Sequence, residues 1–343
     1  MASADPADRD LLIDFLISLR LDRVRTFLQQ NGVAHSGTRP ELRDRLAEAL
    51  DDGSVTTDAI VLFLDDVEPW GKQHVLVYRA PARKPTHWTD PARARRTLLA
   101  GTLGELVDQP LPLVLPETLR VSSIRTHSRG FSVLAVESRA HTERVEELDR
   151  MTRTSDGRTI EYRAFEQIIT RGILLFRWDM VSGSVTLHIT QASSGYSYNE
   201  AEERFQQIVG DALPFDIFDR RELRRAIRSL YNQEASGTAE ARSHRYRYRS
   251  AGGRDIDIAS PTAEASVLGE APVDDAMRAL ATRTAGRSGN FYWLAGTGPA
   301  PRSNPVEHEQ HITIAGEEGR VHFMTPSSEE IVTYVVNRIR ALS

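Results

Sequence analysis

The chain has 343 residues, 40% of them hydrophobic and 27% charged, with a formal net charge of −5. That length supports two or three domains with cores of their own, and the net acidity excludes a protein that coats nucleic acid indiscriminately, so any such binding must come from local patches. Cysteine is absent, which excludes disulfides and thiolate metal sites and suits a reducing compartment.

No apolar run approaches the roughly 18 residues of a membrane-spanning helix. The start, Met1-Ala2-Ser3-Ala4-Asp5, lacks the basic-then-apolar order of a secretory leader. A cytoplasmic protein without membrane contact is therefore expected. Lysine occurs only at Lys72 and Lys84, so 43 − 2 = 41 of the basic residues are arginine. Arginine suits bidentate phosphate recognition, and the bias also fits the codon usage of a GC-rich bacterial genome.

Taken in order, residues 8–20 place Leu11, Leu12, Phe15, Leu16 and Leu19 at helical spacing. Residues 21–50 then parse as helix, short extended loop, helix. Val24, Phe27 and Leu28 make the first apolar stripe, and Gly32 can close that helix in the left-handed conformation. Ser36-Gly37-Thr38 turns the chain, Thr38 and Glu41 form a T-x-x-E capping box, and Pro40 falls in the first turn, where a missing N–H costs nothing. Leu42, Leu46, Ala49 and Leu50 form the buried face of the second helix, and another helix fits Thr57 to Val67. Residues 1–68 thus read as a small all-helical domain.

Residues 21–50 resemble the SAP motif, a helix–extension–helix DNA-binding module. The match lies in the Leu and Val positions of the first helix, Asn31-Gly32-Val33, Ser36-Gly37-Thr38-Arg39, Glu41-Leu42 and Arg45-Leu46. It implies that Ser36, Gly37, Thr38 and Arg39 approach the backbone of double-stranded DNA. Arg43, four residues after Arg39, shares its helical face. Helix N-terminal amides beside cations suit phosphate on physical grounds as well. Related helix–extension–helix modules also bind proteins, so docking of a protein partner is the competing reading, with the rest of the chain as scaffold or homo-oligomerisation surface.

Trp70-Gly71 breaks the helical pattern, and His74 to Tyr78 reads as a strand. Residues 79–97, rich in Pro, Ala and Arg, read as a basic linker, which closes a segment spanning 69–97. From 98 onward Pro110, Pro112 and Pro116 exclude a long helix. Hairpins are expected over 118–138, 172–191, 244–259 and 311–324, and helices over 200–213, 219–231, 273–284 and 328–342, with a strand at 290–295. The recurring order of hairpin then helix makes the fold α+β: a small all-helical N-terminal domain followed by antiparallel sheet. We divide this part into an α+β domain at 98–260 and a portion at 261–343 packed on it. The order of elements around Trp70-Gly71-Lys72-Gln73-His74-Val75 is similar to that of centromere protein N. That resemblance implies a basic groove for nucleosomal DNA between the helical and α+β parts.

A second arginine cluster follows. Arg221, Arg224, Arg225 and Arg228 have i, i+3, i+4, i+7 spacing and are expected to line one helical face, a footprint suited to phosphate. In the next hairpin, a three-residue loop at 251–253 sets Arg249 opposite Asp255, Arg247 opposite Asp257, Tyr248 opposite Ile256 and Tyr246 opposite Ile258. One face is then charged and one apolar.

Catalytic signatures are weak. His308-Glu309-Gln310-His311 is one residue short of H-E-x-x-H and leads into a strand, where that spacing sends the imidazoles to opposite faces. No P-loop, no G-x-G-x-x-G after a strand and no G-x-S-x-G elbow is present. The expectation is a non-enzymatic DNA-binding protein with no cofactor and no metal. Its contacts are Ser36, Gly37, Thr38, Arg39 and Arg43 with Arg221, Arg224, Arg225 and Arg228. A nuclease of atypical core would be the enzymatic exception.

Overall fold

The computed structural model describes residues 6–250, 252–283 and 285–343. Four helices come first: α1 (Pro6–Ser18), α2 (Leu21–Gln30), α3 (Arg39–Asp51) and α4 (Thr57–Val67). Their apolar stripes bury against one another, Leu12 and Leu16 with Val24, Phe27, Leu42, Leu46, Ile60 and Leu64, forming a core separate from the rest. The expected helical N-terminal unit is therefore formed by the residues whose periodicity announced it.

The remainder is organised on one antiparallel sheet. Its strands are β1 (Gln73–Arg79), β2 (Arg120–His127), β3 (Gly130–Arg144), β6 (Phe165–Asp179), β7 (Ser184–Thr190), β8 (Asp219–Arg220), β9 (Ala241–Arg249), β10 (Asp255–Ala259), β11 (Ala285–Trp293), β12 (Gln310–Ala315) and β13 (Arg320–Phe323). The short β4 (Arg150–Arg153) and β5 (Thr159–Tyr162) pair only with each other. The order across the sheet is β10-β9-β11-β12-β13-β1-β7-β6-β3-β2, with β8 paired to the end of β1. β1, the first strand after the helices, lies at the centre, between β13 and β7. The two portions divided at residue 260 form a single sheet, joined through β1 between β13 and β7 and directly by β9 on β11. The α+β class is as expected.

Period-two alternation sorts the residues onto two faces. On one, Val75 and Val77 of β1 join Ile312, Ile314, Val321 and Phe323 under α7 (Arg224–Ala235), α8 (Ala271–Arg283) and α9 (Glu329–Leu342). The same face continues through Leu134, Val136, Ile173 and Leu175, where Trp70 and the helical unit sit. On the opposite face, Leu76, Tyr78, Phe131, Phe176, Trp178 and Leu187 pack under α5 (Pro91–Ala100) and α6 (Tyr198–Val209).

Three expectations change. Residues 79–97, read as a linker, contain the start of α5, whose Ala94 and Leu98 are buried along with Trp88. The local signal is Asp90-Pro91: the Asp90 carboxylate accepts from the Arg93 amide at 2.9 Å, and Pro91 takes the first helical position. The helix expected over 219–231 begins only at Arg224, because Asp219 and Arg220 add a strand beside Tyr78 and Arg79. β3 and β6 run well past the hairpins predicted for them, to Arg144 and from Phe165. In contrast, the 245–259 hairpin has the expected register: Arg249 faces Asp255, Arg247 faces Asp257, and Tyr248 and Tyr246 face Ile256 and Ile258. No helix among the described residues is long and apolar enough to cross a membrane.

Candidate nucleic-acid interface

The loop between α2 and α3 is built by its caps. Gly32 takes φ +71°. Its amide donates to the Gln29 carbonyl at 3.2 Å and the Val33 amide to the Leu28 carbonyl at 2.9 Å, a double closure that satisfies the last carbonyls of α2. Gly37 has φ +122°, and a Cβ there would collide with the Glu41 carboxylate. That carboxylate accepts from the Thr38 amide at 2.8 Å. The hydrogen bond from Thr38 holds the Glu41 carboxyl below its usual range. The N-terminal anion position of α3 is therefore already filled by the protein's own Glu41. Ser36, Gly37 and Thr38 are exposed.

Two arginines brace this loop. Arg25 of α2 donates to the Gly37 carbonyl at 3.3 Å. Arg45 of α3 donates to the carbonyls of Ser36 and, at 3.3 Å, Ala34. Arg39 turns the other way and donates to Ile17 and, at 2.8 Å, Leu19, whose carbonyls are left without helical partners where α1 ends. Arg43 pairs with Asp14 of α1 at 3.0 Å. Arg39 and Arg43 thus lie together as expected, with both guanidinium groups also engaged within the protein. The sequence reading missed the roles of Arg25 and Arg45. Each lies beside a buried residue, Val24 and Leu46, with its tip toward the loop, and that adjacency was the available signal.

The second cluster does not form the single stripe expected of it. Arg221 precedes α7, and its guanidinium donates to the Arg340 carbonyl at 3.0 Å and to the hydroxyl and carbonyl of Ser343 at 2.8 and 3.1 Å. It closes the end of α9 rather than facing outward. Burial, with Arg79 nearby, lowers its pKa. Arg224 reaches Glu317 at 3.3 Å, and its buried Nε has no hydrogen-bond partner. Arg225 and Arg228 are exposed. α7 packs on β9, β11 and α9, on the half of the sheet away from the helical unit's anchor on β6, so the two arginine clusters belong to different layers.

That anchor is the buried Arg171 of β6. It donates to Asp65 at 2.8 Å and to Glu68, and to the carbonyls of Val114 at 2.9 Å and Leu113 at 3.0 Å. Burial raises the pKa of Asp65 and pushes Glu68 up to about 7. Beside it a cleft of about 910 Å³ separates the α1–α2 junction from α9 and the end of β12. Arg20, Arg23 and Lys72 on its walls are matched by Asp22, Glu307 and Glu330, so it is a mixed-charge cleft rather than a basic groove. Leu19, which holds Arg39, lies on its rim.

Among the described residues no group of three or more His, Asp or Glu is placed to hold a metal ion. His311 lies in β12 with its ring stacked on Tyr292 at 4.6 Å, while His308 precedes the strand. No family model matches this chain, and neither does any curated protein.

Proposed function

We propose that this protein binds double-stranded DNA through its phosphate backbone, without catalysis, using the loop at 31–38 and the arginines around it. The observation that carries the reading is the convergence of Arg25 and Arg45 on the carbonyls of Ala34, Ser36 and Gly37, with Arg39 adjacent at the start of α3. Each guanidinium has five N–H donors and uses only part of them on carbonyls, so a rim of fixed cations with spare donors surrounds exposed loop amides. Residues 20–45 hold Arg20, Arg23, Arg25, Arg39, Arg43 and Arg45 against Asp22, Glu41 and Asp44, 6 − 3 = +3 in a chain of net −5. Because Glu41 occupies the helix N-terminus, phosphates would meet the rim and not the cap itself. Docking of a protein partner by the helical unit is less supported. The described large hydrophobic side chains that are exposed all lie outside residues 9–67.

The test is a fluorescence-anisotropy titration of a short labelled duplex at several salt concentrations. Wild type should bind with a log–log salt slope of roughly −0.9 per phosphate neutralised. Arg25→Ala/Arg45→Ala and Arg39→Ala/Arg43→Ala should lower both affinity and slope, while Arg225→Ala/Arg228→Ala should change them little. A larger loss from the α7 pair would move the site to that helix. No binding at low salt would end the DNA reading.

A further inference from the structure

Beyond the edge of the sheet β3 and β6 continue as a two-stranded ribbon. β2 pairs with β3 only as far as Val136, and β7 with β6 only from Leu174, yet β3 and β6 stay paired out to Arg144 and Phe165. At the tip β4 and β5 form their own hairpin. It is fastened by the Val145 amide on the Ala164 carbonyl at 3.0 Å, the Ala164 amide on Asp149 at 2.9 Å, and the Arg144–Asp149 ion pair at 2.5 Å. This arm buries almost nothing in the monomer. Leu148, Met151, Ile160, Tyr162, Phe165 and Ile169 are six of the nine exposed large hydrophobics among the described residues, with Met151 at 76% and Phe165 at 60% exposure. Such a concentration on one projection marks an interaction surface.

We infer that the arm is a self-association surface, taken by the arm of a second copy of this chain across a two-fold axis. Charge selects the occupant. Residues 139–170 carry six arginines and seven acidic residues, 6 − 7 = −1, with both signs interleaved around the apolar side chains. A nucleic-acid backbone requires a net positive face, and a strongly charged protein requires the opposite sign. A surface balanced in both signs complements a copy of itself. Geometry agrees. The outer edges of β4 and β5 are unpaired, and open edges are templates for a further strand. Two copies of one edge related by a two-fold perpendicular to the sheet run antiparallel, the pairing this hairpin already uses. Ile160 and Tyr162 share one face of β5, as Phe165 and Ile169 share one face of β6, so each arm offers two apolar pairs. This inference does not rest on the DNA reading.

Sedimentation equilibrium of the full-length protein tests it. Wild type should have twice the mass of the 38.4 kDa chain. Tyr162→Ser and Phe165→Ser should each weaken the dimer by about tenfold or more, and replacing residues 146–163 by an Asn-Gly turn should leave a monomer. Val181→Ser, which removes an exposed apolar side chain away from the arm, should change nothing. As a readout that needs no variant, amide exchange over 150–162 should slow as wild-type protein is concentrated. A wild-type monomer at the highest soluble concentration, or a dimer that persists in the folded loop replacement, would overturn the proposal.

Discussion

Two helical layers share one face of the sheet and are held there by different physics. The α7–α9 layer merges with the strands in a continuous apolar cluster in which Leu230, Val335 and Ile339 meet Val75, Ile312 and Phe323. The α1–α4 layer keeps its own core and meets the sheet through Trp70 and through Arg171, buried between Asp65 and Glu68. Apolar burial is non-directional and proportional to area. A buried ion cluster has large opposing desolvation and Coulomb contributions, so it is sensitive to the loss of one partner. The first layer is part of the sheet's folding unit. The second is a separately cored unit whose buried attachment is that directional point at Arg171, with the exposed Arg125–Asp66 pair next to it.

The largest test removes that point. Arg171→Ala leaves two buried carboxylates unpaired and strips the donors from Leu113 and Val114, and should cost about 3–5 kcal/mol. Leu230→Ala, a cavity in the other layer, should cost a similar 2–5 kcal/mol. The two should differ in kind. Denaturation of the Arg171 variant should split into an early loss of α1–α4 and a later loss of the sheet, while the Leu230 variant should unfold in one transition. Replacing Arg171, Asp65 and Glu68 together by apolar residues of similar volume should recover much of the loss. A single unsplit transition for Arg171→Ala would erase the distinction between the layers.

The same contrast governs what was legible in the sequence. Segments that bury one face carry a period, so α2, α3, α9 and the 245–259 hairpin were readable with their caps and register. The arm was not readable, because a ribbon exposed on both faces has no apolar alternation to detect, and 139–170 looks like a charged loop. Arg171 looks like any other arginine in a chain of them until Asp65 and Glu68, more than one hundred positions away, fold over it. The 31–38 loop has the turn and the capping box that its residues announce. Arg221, assigned to a DNA-facing stripe on helical spacing alone, instead reaches Ser343, a partner that no local pattern encodes.

A smaller effect, in pH, sets the anchor of the helical layer against the opposite face of the sheet. Glu68 is lifted from the ordinary 4.5 to about 7 by burial. Between those values the folded state is the better proton binder, so this contribution is full below about 4.5 and lost as pH rises through about 7. On the other face, burial and mutual proximity hold His74 down to about 3, and burial with Arg320 holds the stacked His322 to about 4. Their sign is opposite: the contribution is full above the unfolded value of about 6.5 and falls as pH drops toward 4 and then 3. The two slopes oppose each other between pH 4.5 and 6.5. Urea denaturation of Glu68→Gln should therefore show a steeper loss of stability on acidification than wild type, and His74→Gln/His322→Gln the reverse. Parallel pH curves for all three would remove the titrating groups from the comparison.

The smallest test uses matched caps. The Thr56 hydroxyl accepts from the Ala59 amide at 3.2 Å at the start of α4, the helix that leads to Asp65 and Glu68. Ser328 does the same for Ile331 at 3.3 Å at the start of α9. Each change to Ala should cost about 1 kcal/mol. If the layers are one cooperative unit, both should lower the midpoint of global unfolding equally. If the helical layer opens on its own, Thr56→Ala should speed amide exchange within residues 6–67 while leaving the sheet's exchange and unfolding unchanged. Ser328→Ala should then lower protection across the sheet, because α9 cannot loosen without uncovering Val75, Val321 and Phe323.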